Sequence, residues 1–213
     1  FRSHISNLIG LLHLMLGSVS PEEDSILDRA IRETYAIRDI TELTNFSALT
    51  AAAYPTMADL YAVLQNLEGA ESLAARLERY TEGVFGGFLN NQTNISMDKQ
   101  LVVFNIRDLE NELRPIAMYV VLQYIWNEMR TDMKKRIVVV DEAWIMMQNE
   151  DAAAFMFGIA KRCRKYYTGL TTITQDIADF MASRYGKPIV TNSSMQLLLK
   201  QSPASVDLIA ETF

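Results

Sequence analysis

Apolar side chains recur at helical spacing through the first hundred residues. Ile5, Leu8, Ile9, Leu12, Met15 and Leu16 predict one amphipathic helix, and Gly17 follows them as a left-handed cap would. Ser20-Pro21-Glu22-Glu23 predicts a second helix start: a capping serine, a proline in the first turn, and a glutamate three residues after the cap. Ile26, Leu27, Ala30, Ile31, Thr34 and Tyr35 then form a stripe that predicts a buried face, with Glu23, Asp28, Arg29, Arg32 and Glu33 in water. A looser stretch over 41–54 precedes Thr56-Met57-Ala58-Asp59, where the capping pattern repeats ahead of Leu60, Val63, Leu64 and Leu67. A further short helix is expected over about 70–80, and Gly83, Gly86 and Gly87 break the pattern. No period of about 20 to 50 residues recurs, which excludes a solenoid.

The second half changes character. Short β-branched or apolar runs at 101–105, 137–140, 170–174 and 195–199 predict strands, and helical stretches are expected at about 114–130, 151–166 and 176–185. Strands with little alternation, separated by helices, predict a parallel sheet buried on both faces. The expected division is an all-helical subdomain over 1–97 and an α/β core over 98–213. Ligands of such sheets bind beyond the carboxyl ends of the strands, so the residues just after each run carry the interest.

Composition narrows the class. With 49% hydrophobic and 22% charged residues the chain is globular, which excludes a disordered one. A net charge of −6 excludes a polyanion binder as a whole molecule and leaves room only for a local basic face. The one cysteine, Cys163, cannot make an internal disulfide and reads as a small packing residue. The longest apolar run, 116–126, is interrupted by Tyr119, Gln123 and Tyr124 and falls short of the roughly 18 residues of a membrane span. Phe1-Arg2-Ser3-His4 does not begin a signal peptide. A start without methionine and a stop inside a helical pattern at 210–213 lead us to expect a piece of a longer protein, any membrane association coming through the remainder or through partners.

The strongest chemical signal is Ile137-Val138-Val139-Val140-Asp141-Glu142. Four apolar strand residues followed by two acids place both carboxylates at the carboxyl edge of the sheet, the form of a Walker B element in RecA-like P-loop nucleotidases. There the first acid holds Mg²⁺, often through water, and the second deprotonates the attacking water. The plain alternative is an acid pair that caps the next helix. Ile173-Thr174-Gln175 puts a neutral amide at the end of an adjoining strand, where it can contact a γ-phosphate and the attacking water without opposing charge. The alternative there is a capping Thr174 with Gln175 in the first helical turn. Trp144 reads as core at the sheet edge. Lys161-Arg162-Cys163-Arg164-Lys165 suits the negative end of a helix dipole. Its functional reading is an arginine offered across a subunit boundary, where the planar guanidinium fork matches phosphate oxygens. No G-x-x-x-x-G-K-[ST] occurs, and Gly186-Lys187-Pro188 fails as a phosphate loop. His4, His13 and Cys163 lack metal-ligand spacing, and no G-x-S-x-G elbow is present.

Three segments, 135–144, 159–166 and 169–176, resemble the conjugative type IV secretion ATPase of the VirB/TraC type, the fourth VirB component, a relative of the FtsK and HerA DNA translocases. Leu101-Val102-Val103-Phe104-Asn105-Ile106 with the Pro115 helix, and Asp28-Arg29-Ala30-Ile31 through Tyr35, fit the same family. The resemblance implies a RecA-like P-loop NTPase fold, its parallel sheet flanked by helices, with the all-helical subdomain in the N-terminal half. The chain would be part of the C-terminal ATPase domain, with its phosphate cradle upstream. By position, Asp141 matches the Mg²⁺ acid, Glu142 the catalytic base, Gln175 the γ-phosphate sensor and Arg164 the arginine given in trans. Arg162 is close enough to be confused with Arg164, and it joins Thr174 as a candidate nucleotide contact. The implied cofactors are ATP and Mg²⁺. The implied protein is a membrane-associated hexamer or dimer at the cytoplasmic face of the inner membrane, with secretion-channel components and a coupling ATPase as partners. DNA as a partner draws no support from the charge. Two other readings remain open: a DNA-translocating ATPase of the FtsK/HerA sort, and a non-catalytic docking module for channel proteins.

Overall fold

The computed structural model describes residues 2–45 and 49–201, together with 206, 209 and 210. The chain divides into two compact units, Phe1–Val103 and Phe104–Phe213.

The first unit is helical. Helices α1 (Arg2–Leu16) and α2 (Pro21–Ala36) form where the apolar stripes predict them. Gly17 ends α1 at φ 76°, its N–H donating to the His13 carbonyl at 2.9 Å. Ser20 caps α2 reciprocally: its hydroxyl accepts the Glu23 N–H at 3.2 Å, and the Glu23 carboxylate accepts the Ser20 N–H at 3.0 Å. Leu27, Ala30, Ile31, Thr34 and Tyr35 are buried, as the stripe requires. Two polar pairs join α1 and α2, His4 with the Tyr35 hydroxyl at 2.8 Å and His13 with Asp24 at 2.8 Å.

Helix α3 (Met57–Gln65) packs on α2 and on α4 (Glu71–Leu77). At its start the Asp59 carboxylate accepts the Thr56 N–H at 2.7 Å. Arg76 on α4 closes the end of α1, donating to the carbonyls of Leu16 at 3.1 Å and Ser18 at 2.8 Å. The Leu16 carbonyl, at the end of α1, lacks a partner within its own helix, so a neighbour's side chain supplies it. A 3-10 turn at Glu78–Tyr80 places the buried Tyr80 hydroxyl on the Met15 carbonyl at 2.9 Å. The glycine cluster does more than break the pattern, because a short helix α5 (Gly86–Leu89) forms there. Gly86 has no room for a side chain: a Cβ would lie 2.2 Å from the Thr81 carbonyl oxygen.

The second unit is built on α6 (Leu113–Thr131), which buries Ile116, Ala117, Leu122, Trp126 and Met129. Strands β1 (Arg136–Val140) and β2 (Thr168–Thr172) pair in parallel, in register from Arg136 with Thr168 to Val140 with Thr172. Parallel neighbours need a crossover, and it runs through α7 (Trp144–Met147), α8 (Glu150–Arg162) and a 3-10 turn at Cys163–Tyr166. Tyr167, left-handed at φ 54°, turns the chain into β2, and its carbonyl accepts the Arg136 N–H at 3.1 Å. Beyond β2 lie α9 (Ile177–Ala182) and α10 (Gly186–Asn192). The corner between them requires glycine, since a Cβ on Gly186 would meet the Phe180 carbonyl oxygen at 2.0 Å.

Two of the four expected strands do not form. Segments 101–105 and 195–199 have no ladder partner, and the sheet among the described residues has two strands. Many of their apolar side chains stay in water, Leu101 at 80% and Met195 at 85% exposure, while Val102 and Phe104 are half-buried. β-propensity describes fit to a pleated, half-buried surface, and without a neighbouring strand it cannot hold a segment extended. The expectation of burial on both faces is corrected as well. Val138 and Val140 are buried at 9% and 6% exposure, whereas Ile137 is 79% and Val139 58% exposed, so β1 is covered on one face by the described residues. No helix among the described residues is long and apolar enough to cross a membrane.

Candidate active site

The ladder continues past the strand ends and fixes the rim. Val140 accepts the Ile173 N–H at 2.9 Å, and Ile173 accepts the Ala143 N–H at 2.9 Å. These two bonds hold the turn at 141–143 beside the turn at 173–175. Four sequence-predicted residues, Asp141, Glu142, Thr174 and Gln175, therefore share one edge of the sheet, at its carboxyl end.

Asp141 is exposed, and its Oδ1 accepts the Glu142 N–H at 3.0 Å. Glu142 is half-buried and left-handed at φ 51°, a conformation in which a non-glycine residue is held by its surroundings. Both oxygens of its carboxylate are engaged. Oε1 accepts the Gln175 side-chain amide at 2.9 Å, and Oε2 accepts the Trp144 indole N–H at 2.5 Å. The Gln175 contact ties residues on two different strand ends, 33 positions apart in sequence. The Thr174 hydroxyl is used within its own turn, donating to the Asp176 carbonyl at 3.0 Å and accepting the Asp176 N–H at 3.2 Å. Capping of α9 falls to Asp176, whose carboxylate accepts the Asp179 N–H at 2.9 Å.

The cationic run separates into different environments. Arg162 donates from Nε to the Gly158 carbonyl at 2.9 Å and lies over the Trp126 ring at 4.8 Å. Lys161 sits over Phe157 at 4.4 Å, and Cys163 is buried. Arg164, on the 3-10 turn, is exposed, and its guanidinium has no hydrogen-bond or ion-pair partner among the described residues. Neither arginine bonds to the four rim residues.

Trp144 is the residue that sequence reasoning misplaced. It is half-buried at the start of α7 and donates to Glu142, where a plain core role was expected. Its position two residues after the second acid, at the opening of a helix, was the available signal.

The donor set at the rim suits a hard cation held mostly by water. Asp141 offers an exposed carboxylate with one oxygen taken by the backbone, and Mg²⁺ characteristically keeps several waters while touching one or two carboxylates. No cluster of three or more His, Cys, Asp or Glu side chains that would cage a metal occurs among the described residues.

The TraG P-loop domain family matches residues 49–208. The chain belongs to that family. Two curated relatives of this TraG P-loop chain are the type IV secretion system proteins virB4 of Bartonella quintana and of Bartonella henselae. Each is 27% identical over 151 residues, a match that covers 67% of this chain and 18% of the relative. The solved structure of VirB4 of Thermoanaerobacter pseudethanolicus superposes with a TM-score of 0.92 at 29% identity, covering 99% of this chain and 60% of that one. The chain thus spans less than a fifth of the curated relatives and 60% of the solved one. Its architecture is the α/β P-loop fold, with parallel strands flanked by helices, and the resemblance read from the Asp141-Glu142 and Thr174-Gln175 segments holds.

Proposed function

We propose that this TraG P-loop chain carries the water-activating side of an ATP-hydrolysing motor of the VirB type. That motor would energise assembly of a type IV secretion system or transfer of substrate through it. The observation that supports the reading is the hydrogen bond between Gln175 and Glu142, which joins an amide and an acid from separate strand ends at one rim. An acid pair that served only to cap a helix has no use for that contact.

The residues present fit MgATP on the metal and water side. Bound MgATP supplies an electrophilic γ-phosphorus whose charge the metal helps to neutralise. Asp141 is the residue that would hold the hydrated metal, through its exposed carboxylate. Glu142 orients the attacking water and takes its proton as the water oxygen bonds to phosphorus and the bond to the ADP oxygen breaks. Gln175 contacts the γ-phosphate and the same water, and as a neutral amide it does not repel them. Thr174 acts through the turn it braces, which presents Gln175. Arg164, exposed and without a partner among the described residues, is the arginine offered to a neighbouring subunit's nucleotide, while Arg162 is committed to Trp126 and Gly158.

No G-x-x-x-x-G-K-[ST] occurs in this sequence, so in the proposed motor the phosphate-binding lysine and backbone amides would come from another part of the protein. Positioning is most of what phosphoryl transfer needs, so the chain alone turns ATP over negligibly. In the intact protein we place the motor at the cytoplasmic face of the inner membrane, as a hexamer or dimer in contact with secretion-channel components and a coupling ATPase. The net charge of −6 weighs against a DNA pump as the primary role. The reading is tested by Glu142→Gln in the intact protein, with nucleotide binding and hydrolysis measured on the same sample. ATP should bind with near wild-type affinity while turnover is lost, and hydrolysis near the wild-type rate would remove Glu142 from the mechanism.

A further inference from the structure

Glu142 is held by more than a base at a strand end requires. Its backbone is left-handed at φ 51°, and each carboxylate oxygen has its own donor, Gln175 on Oε1 at 2.9 Å and Trp144 on Oε2 at 2.5 Å. The two donors differ in kind. Gln175 is exposed on a turn and can exchange one acceptor for another. Trp144 is fixed: it opens α7, directly after Ala143, which is fully buried and whose N–H is bonded to Ile173. Two and three residues on, Met146 and Met147 are buried at 0% and 6% exposure and anchor the same short helix. An indole carries an N–H donor and no acceptor, so it can bind the carboxylate and cannot compete with it for a proton.

We propose that Trp144 is a positioning residue for Glu142. Its indole N–H occupies Oε2, so Oε1 is the oxygen that faces the attacking water. Because Gln175 already sits on Oε1, its amide lies beside the group that Oε1 binds. A charge-assisted N–H to carboxylate bond is short and strong, and a bond of that kind stops the carboxylate from rotating between productive and idle orientations. Trp144 thus acts through Glu142, and the inference rests on the reading of Glu142 as the base.

The test uses Trp144→Phe in the intact protein, which keeps an aromatic ring while removing the donor together with part of the indole's volume. kcat for ATP should fall by about tenfold or more, with KM for ATP within about twofold of wild type. A second readout does not depend on turnover. Ultraviolet resonance Raman spectra of the nucleotide-free protein, taken as wild type minus Trp144→Phe, isolate the indole N–H band of Trp144, whose position reports hydrogen-bond strength. In a Glu142→Ala background the same difference band should move to the position of a free indole. A band at the same position in both backgrounds would overturn the contact. Wild-type kcat in Trp144→Phe, with Glu142→Gln inactive, would overturn the positioning role and leave the base in place. Full activity in Glu142→Gln would overturn the base reading, and this inference with it.

Discussion

Asp141 and Glu142 are adjacent in sequence, yet their side chains do different things because the backbone reverses its twist between them. Asp141 follows the strand into solvent, while the positive φ of Glu142 brings its carboxylate to donors from Trp144 and Gln175. That much of the site was legible in part. An apolar run ending in two acids, and a second run ending in an amide, locate the rim through the rule that parallel sheets bind ligands at their carboxyl edge. The Trp144 bond was legible only as a position two residues past the second acid, since the contact itself depends on a dihedral angle that no residue type at 142 dictates. The difference between Arg162 and Arg164 was not legible, since they share a charge run and part company only where α8 gives way to the 3-10 turn. The separation has a consequence for stability. Arg162→Ala should lower the unfolding free energy by about 0.5–1 kcal/mol through loss of the contact with Trp126, and Arg164→Ala should leave it unchanged. Denaturant melts of the two variants check this, and equal losses would contradict the assigned environments.

The helices were read from their stripes and caps because those signals are local. Ser20 with Glu23, and Gly17 at positive φ, do in the structure what their spacing implies. Strands 101–105 and 195–199 were misread because a strand is not a local object. Val103 and Leu199 mark segments that seek cover, and nothing in their own composition names the partner that would provide it. The α1–α2 pair carries a pH dependence of its own. Burial pulls the His4 imidazole below its ordinary value of 6.5, and burial likewise pushes the Tyr35 hydroxyl bonded to it up to about 12. As pH falls, the unfolded chain therefore takes up the proton first, so this histidine's contribution is present above about pH 6.5 and declines below it. Thermal melts between pH 7.5 and pH 5.5 should show stability falling toward the acid end, with a shallower fall in His4→Asn. Identical slopes in the two proteins would show that His4 is not the group responsible.

Across the whole molecule, the proposed function gives the chain the half of a nucleotide site that would handle water and metal. The fold class was legible because α/β alternation and the order of the motifs are properties of the entire second unit, whereas the single-face burial of β1 was not, since Ile137 and Val139 look as apolar in sequence as Val138 and Val140. If Arg164 serves a neighbouring subunit, Arg164→Ala in the intact protein should lower kcat by about a thousandfold. Mixing it with Glu142→Gln subunits should then restore part of the activity, because interfaces form that hold both a native base and a native arginine. Mixed assemblies as inactive as either parent would contradict an action in trans. The account depends most on Glu142 and Gln175 working on one water molecule. A double-mutant cycle on kcat in the intact protein, with Glu142→Gln, Gln175→Ala and the pair combined, measures that directly. If the two act as a unit, the double variant should be no slower than Glu142→Gln alone. Losses that multiply, as they do for residues acting independently, would show that the two strand ends do not serve the same step.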